Sequence, residues 1–468
     1  MTIFYFKKEV IMMSNDSENV KHQHEVIGVQ ENANSHSHTR HPDAQWFPAA
    51  GLGIFLHWGI SSLNGDIDLS WGMIRDTPNN WHYLNTNKVV PSEYFAYADR
   101  FDPEAYDPDL WMAAASNAGV RYAVLTTRHH DGYALWPSEY GNYSTRTHMH
   151  GRDLLRPYVE ACRKYNIKVG FYYSPPDWNF FKDFMSFGYP VWDWDDVPDV
   201  ELCEQLGLFL DRLPLLDENW QEVEALPIAD DTLKTQYSRY LRGQIEELLT
   251  RYGPIDIIWF DGTPSHDVAV PITQEEIRQL QPGILINPRM HGFGDFETPE
   301  CALPDAPIEG FWEACFIWNE GSWGYTKNET YKPLTWMLDK LVKARAWGGN
   351  LLINVAPSPD GRLPEACYRR FEELARWQKE NSESICGVSR GKWPDDCSVP
   401  YTVRNDNWFL FMTDEASIAV IDHESPPKSV TVLATGEPVP FVSKNAKTLV
   451  TLYARQRADT LSVIKIEW

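Results

Sequence analysis

Asp261 closes an apolar run, Ile255-Asp256-Ile257-Ile258-Trp259-Phe260, and is followed by Gly262. A carboxylate set against two aromatic rings where a buried strand turns is costly to place and seldom serves packing, which makes it the first candidate for a reacting group. Its structural alternatives are a helix N-cap or a partner for Arg289. Polar groups close three further runs: Phe55-Leu56-His57-Trp58-Gly59, Thr127-Arg128-His129-His130-Asp131-Gly132 and Ile286-Asn287-Pro288-Arg289. Four strand ends furnished in this way point to one shared site. An ionised carboxylate there suits attack on, or steering of water to, an anomeric carbon, and that chemistry needs a second carboxyl to protonate the leaving oxygen. Glu297 and Glu300, in Phe296-Glu297-Thr298-Pro299-Glu300, offer it from a loop where exclusion of water by substrate raises a carboxyl pKa. His57, His129 and His130 suit either a metal or sugar hydroxyls. Neighbours on a strand face opposite ways, so His129 and His130 meet one ligand only where the strand is already turning.

The elements that must position these groups follow from patterning. From Trp46 onward, apolar runs alternate with stretches of helical spacing, which predicts a parallel sheet with helical crossovers. Strands are predicted over 53–58, 122–128, 168–174, 255–261, 284–289, 311–317 and 351–356. Helices are predicted over 109–117, behind the cap and first-turn proline Asp107-Pro108, and over 152–165, 233–252, 274–281, 333–347 and 365–380. With no glycine-rich phosphate loop after the first strand, an α/β fold of (β/α)8-like TIM barrel type fits better than an open doubly wound sheet. The C-terminal strand ends of such barrels form the active site, and the polar groups fall there. The stretch 175–231 is rich in Trp and Asp, weakly periodic, and reads as an insertion over the barrel mouth. Beyond Cys386, short β-like runs punctuated by Gly, Pro and Asp predict a small antiparallel β-sandwich. The chain thus divides into a disordered tail over 1–45, a catalytic barrel over 46–384 and the sandwich over 385–468. The tail, dominated by Asn, Ser, Glu, Gln and His between 14 and 41, buries too little to fold alone, and its histidines His22, His24, His36, His38 and His41 suggest adventitious metal binding at most.

Bulk properties exclude several classes. The net charge of −24 argues against nucleic acid, which basic surfaces bind. Seven Cys, without a C-x-x-C pair, suggest neither a disulfide framework nor a structural zinc, and no cofactor motif appears. The segment Met1-Thr2-Ile3-Phe4-Tyr5-Phe6-Lys7-Lys8-Glu9 meets charge too early for a signal peptide, with Met12 or Met13 as alternative starts, and no run is long enough for a membrane span. A cytoplasmic protein without membrane partners is expected, its association into a homo-oligomer left open. Aromatic content of 13% is ample for a core and for stacking on sugar C–H faces.

In order along the chain, His57-Trp58-Gly59, Arg128-His129-His130-Asp131-Gly132-Tyr133-Ala134-Leu135-Trp136-Pro137, Phe171-Tyr172-Tyr173-Ser174 with Asp177-Trp178, Trp259-Phe260-Asp261-Gly262, Thr298-Pro299-Glu300, Trp312-Glu313, Ser322-Trp323-Gly324-Tyr325 and Leu351-Leu352-Ile353-Asn354-Val355 resemble the α-L-fucosidases of glycoside hydrolase family 29. The likeness spans residues 46–378. It implies an exo-acting, retaining double displacement on terminal α-L-fucose of an oligosaccharide or glycoconjugate, on a (β/α)8-like barrel backed by a β-sandwich, without metal or cofactor. Asp261 matches the nucleophile, and His57, His129, His130, Tyr172, Trp259 and Arg289 match positions that hold the sugar. Trp323 is a candidate wall for the C6 methyl, and Trp71 joins the binding set. For the acid/base Glu300 matches best, with Glu297 second and Glu313 third. Two departures stand out. Ser70-Trp71 replaces a frequent Glu-Trp, with Asp68 as a possible substitute, and Asn287-Pro288-Arg289 replaces Asn-Asp-Arg. The rivals are an α-L-galactosidase of the same chemistry, a catalytically silent fucose-binding protein, and a metal-dependent hydrolase built on His57, His129, His130 and Asp131.

Overall fold

The central strands are buried on both faces, as unbroken apolar runs require of a parallel sheet wrapped by helices. The computed structural model describes residues 20–21, 23–30, 38–75, 87–182, 215–226, 229–413 and 416–468. Eight strands form one sheet: β1 (Leu52–Leu56), β2 (Tyr122–Arg128), β3 (Lys168–Tyr173), β4 (Ile257–Phe260), β5 (Leu285–Ile286), β6 (Phe296–Glu297), β7 (Phe311–Ile317) and β8 (Asn350–Val355). Every pairing among them is parallel, in the order β5-β4-β3-β2-β1-β8-β7-β6. The seam falls between β5 and β6, where the returning chain substitutes for a ladder. Asp295 N donates to Ile286 O at 2.7 Å, and Ile286 N donates to Asp295 Oδ2 at 2.8 Å. The result is a nearly closed (β/α)8-like barrel.

Among the described residues, six longer helices pack outside it: α1 (Pro108–Asn117), α2 (Leu155–Lys164), α3 (Asp231–Arg251), α4 (Gln274–Leu280), α5 (Leu334–Ala346) and α6 (Glu365–Asn381). Asp107 caps α1 as predicted, its carboxylate accepting from Asp109 N at 3.1 Å. The links β5 to β6 and β6 to β7 carry no helix. Strand β6, two residues long, escaped the sequence reading because so short a run shows no period.

Alternation within the strands aims the site. Ile257 and Trp259 face the barrel interior with Phe55, Tyr172, Cys315 and Leu352, so Asp261 and His57, each two residues on from an inward residue, project from the barrel's mouth along the same face. Phe47, fully buried, plugs the opposite end among Tyr122, Phe296 and Phe311.

Two antiparallel sheets follow. The larger runs β9 (Ser389–Arg390), β10 (Tyr401–Arg404), β11 (Asn407–Phe411), β16 (Val463–Glu467), β13 (Ser429–Val432); the smaller runs β12 (Ile418–Asp422), β15 (Lys447–Thr451), β14 (Phe441–Lys444). Their inner faces meet at Leu410, Ile421, Val450 and Ile464, the alternating pattern of a sandwich. The insertion expected over 175–231 lies largely outside the described residues; of its described part, Trp220 Nε1 donates to Met73 O at 3.1 Å. Among the described residues no helix is long and apolar enough to cross a membrane.

Candidate active site

The end of β4 is locked before Asp261 begins. Asn287 accepts from Phe260 N through Oδ1 and donates to Phe260 O through Nδ2, both at 2.8 Å, mimicking the ladder that the short β5 cannot continue. Asp261 N donates to Tyr173 O at 3.1 Å, and Gly262 turns the chain at φ +87°. The carboxylate is then gripped on both oxygens: Arg289 Nη1 donates to Oδ1 at 2.9 Å and Tyr172 Oη to Oδ2 at 2.8 Å, with His130 Nε2 3.8 Å from Oδ2. Two charge-assisted donors orient the carboxylate while leaving it partly accessible, at 13% side-chain exposure. Asp261 is thus both the partner of Arg289 and exposed to the cavity.

Glu300 follows a β-bridge to Cys315 on β7, where Cys315 N donates to Pro299 O at 3.0 Å and Cys301 N to Cys315 O at 2.8 Å. Its Oε2 receives Arg289 Nη2 at 2.8 Å and lies 3.0 Å from His24 Nε2. Burial works to raise the Glu300 pKa, but Arg289 and His24 together outweigh it and hold the carboxyl down at about 2. Arg289 itself is 1% exposed, donates to Thr298 Oγ1 and O at 3.1 Å each, and stacks over Trp259 at 4.5 Å. Its guanidinium thus joins the two carboxylates, Asp261 and Glu300.

The other acid/base candidates are placed elsewhere. Glu313 is buried inside the barrel, accepting from Tyr122 Oη at 2.6 Å and Trp259 Nε1 at 2.9 Å, and burial raises its pKa to about 7. Glu297 sits on β6 opposite Trp312. Neither lines the cavity, which is bounded by Gln23, His24, Ile27, Phe55, His57, Leu69, Trp71, His129, His130, Tyr172, Trp259, Asp261, Arg289, Glu300, Cys315 and Trp323. All ten residues singled out for the site therefore converge on one cavity.

Each of the three histidines is fixed through Nδ1: His57 to Asn354 Oδ1 at 2.7 Å, His129 to Ser70 Oγ at 3.0 Å and His130 to Ser174 Oγ at 2.6 Å. Burial lowers the pKa of His57 and His130 to about 4 and pushes His129 well below its ordinary value, so all three are neutral at pH 7. Asp131, the fourth member of the imagined metal set, is turned away to Tyr94 Oη at 2.7 Å and Tyr133 N at 2.9 Å. Among the described residues no group of three His, Cys, Asp or Glu is placed to hold a metal ion. Asp68 is committed to the loop behind Trp323: its Oδ1 accepts from Ser322 Oγ at 2.8 Å and Trp323 N at 3.0 Å. Trp71 meets His130 edge-on at 5.5 Å, and Tyr172 stacks between His129 and Trp259 at 5.7 Å from each.

Residues 23–30 were assigned to the tail, yet Gln23, His24 and Ile27 are part of the wall. Ile27, 5% exposed, anchors the stretch. A stretch this short, with Val26, Ile27 and Val29 set against the core, leaves no periodic trace in sequence. Asn287, Asn354 and Ser174 were also missed as supports, though each lies inside a quoted motif.

The family model for alpha-L-fucosidase matches residues 18–383. Tissue alpha-L-fucosidase of Mus musculus is 26% identical over 369 residues, covering 74% of this chain and 71% of that protein. Among solved structures, alpha-L-fucosidase isoenzyme 1 from Paenibacillus thiaminolyticus superposes with a TM-score of 0.69 at 28% identity, over 92% of this chain and 99% of the other. A GH29 alpha-L-fucosidase from Bacteroides thetaiotaomicron, trapped as a covalent intermediate, shares the fold with a TM-score of 0.72 at 22% identity, over 94% and 99%.

Proposed function

The chain belongs to the alpha-L-fucosidase family, a glycoside hydrolase family, and from that membership and the site geometry we propose that Asp261 and Glu300 are its nucleophile and acid/base. The observation that carries the reading is the shared guanidinium: Arg289 reaches Asp261 at 2.9 Å with one arm and Glu300 at 2.8 Å with the other. One guanidinium spanning both carboxyls supports the close spacing of a double displacement over the wider gap that an inverting enzyme leaves for water. Asp261 attacks C1 as Glu300 protonates the leaving oxygen; water, deprotonated by Glu300, then opens the fucosyl-Asp261 ester. Glu300 is ionised in the unliganded site, so substrate must raise its pKa by excluding water. Neutral His57, His129 and His130 each present donor or acceptor nitrogen to sugar hydroxyls, and Trp71, Tyr172, Trp259 and Trp323 supply apolar faces. Trp323 beside Phe55 favours a C6 methyl over the C6 hydroxyl of L-galactose, by about 10- to 100-fold.

The test is hydrolysis of matched aryl α-L-fucosides and α-L-galactosides with azide present. Asp261→Gly is expected to lose turnover by on the order of 10⁴- to 10⁶-fold and to yield β-fucosyl azide through a single inversion. Glu300→Ala is expected to yield α-fucosyl azide, the azide displacing Asp261 from the intermediate. Binding of L-fucose by wild type without hydrolysis of either sugar would replace the enzyme reading with that of a binding protein.

A further inference from the structure

Residues 23–30 enter the site by specific docking. The Ile27 carbonyl accepts from Thr263 N at 3.0 Å, and Gln30 N donates to Arg289 O at 2.9 Å. A Cβ on Gly262 would come within 2.4 Å of the Ile27 oxygen, so glycine directly after Asp261 is what lets the segment lie this close. The segment forms one wall of the cavity through Gln23, His24 and Ile27. This docking carries His24 to Glu300: Nε2 is 3.0 Å from Oε2, with side-chain exposures of 14% and 9%. An ionised carboxylate only accepts, so His24 donates through Nε2–H, on the same oxygen that Arg289 Nη2 holds at 2.8 Å.

We propose that His24 is a positioning residue for the acid/base: with Arg289 it occupies Glu300 Oε2, so that Glu300 takes up and delivers its proton at Oε1, and with Gln23 it walls the leaving-group side of the fucose pocket. This rests on the reading of Glu300 as acid/base. Two N–H donors already directed at Oε2 make it the poorer proton site, and the acid form carries its proton on Oε1. In the first half-reaction the Oε1–H bond breaks and the proton passes to the glycosidic oxygen, while the C1–O bond to the leaving group opens and the C1–O bond to Asp261 forms. In the second, water gives its proton to Oε1 as it displaces Asp261. His24 ends each half-reaction with the proton it began with. Its contribution is to hold one oxygen, and to stabilise the carboxylate left when the proton departs.

The test compares His24→Ala and His24→Gln with wild type and Glu300→Ala, on a dinitrophenyl α-L-fucoside, which leaves without protonation, and on methyl α-L-fucoside, which does not. His24→Ala is expected to lose about 10- to 100-fold in kcat/KM, which reports the first half-reaction, on the methyl glycoside and little in kcat/KM on the dinitrophenyl one, with partial recovery in His24→Gln, whose amide can still donate; the comparison of the two substrates is made in kcat/KM throughout. Equal losses on both substrates, no loss on either, or a gain in rate would overturn the proposal, the last by making the segment an obstruction. If Glu300→Ala itself shows no leaving-group dependence, the acid/base assignment fails first, and the His24 proposal with it.

Discussion

Asp261 and Glu300 hold opposite arms of one guanidinium, that of Arg289, at 2.9 and 2.8 Å, although 39 positions separate them in sequence. The relationship ties both carboxylates to a single buried cation stacked on Trp259. Arg289→Lys supplies one point charge in place of a fork and leaves at least one carboxylate without its partner. Turnover of an aryl α-L-fucoside is expected to fall at least about 100-fold. The alkaline limb of kcat/KM, which reports the acid, moves to higher pH because a cation that lowers the Glu300 pKa is displaced. A pH profile of the variant on a single aryl fucoside checks both.

Ser70, itself fully buried, sets its hydroxyl 3.0 Å from His129 Nδ1. Ser70→Ala removes that fixing contact and frees the imidazole to turn. KM for the fucoside is expected to rise about 3- to 10-fold with kcat less affected, since a net hydrogen bond of about 1 kcal/mol is lost mainly from ground-state binding. Steady-state kinetics of the variant separates the two terms.

Two buried groups load the stability with opposite slopes in pH. His57 keeps a folded pKa of about 4 against 6.5 unfolded, so the unfolded chain binds the extra proton between those values, and the stability owed to neutral His57 is lost as pH falls through 6.5 toward 4. Glu313 keeps a folded pKa of about 7 against 4.5, so the folded chain holds the proton there, and its contribution is lost as pH rises from 4.5 to 7. Relative to wild type, His57→Gln is expected to lose less stability on acidification over the first window, and Glu313→Gln less on alkalinisation over the second. Denaturant unfolding of the three proteins at pH 4.5, 6 and 7.5 reads the slopes; parallel curves would contradict the assignment.

Activity is expected to survive chelator unchanged, because Asp131 faces Tyr94 and, among the described residues, no three His, Cys, Asp or Glu side chains are placed to hold a metal ion. Hydrolysis of the aryl fucoside before and after prolonged treatment with a strong chelator is the measurement, and loss restored by added zinc would revive the metal-dependent alternative.

Much of this was written locally. Unbroken apolar runs set the strands, Asp107-Pro108 set the start of α1, and period two put Asp261 on the face of Trp259 and His57 on the face of Phe55. Motif residues at four strand ends announced a single site because a parallel barrel brings all such ends together. Tertiary structure decided what local pattern cannot carry. Which of Glu300, Glu297 and Glu313 reaches the cavity depends on the bridge from Glu300 to Cys315, a pairing across the short, periodless β6 region. That Arg289 joins Asp261 to Glu300 depends on side-chain reach across strands, and Asn287 acts as a ladder only because β5 stops at Ile286. Most of all, the polar stretch around His24 lacked the apolar content to foretell a fold of its own, and it needed none: its place is fixed by Ile27 and Gly262, whose meeting is separated by more than two hundred residues of chain.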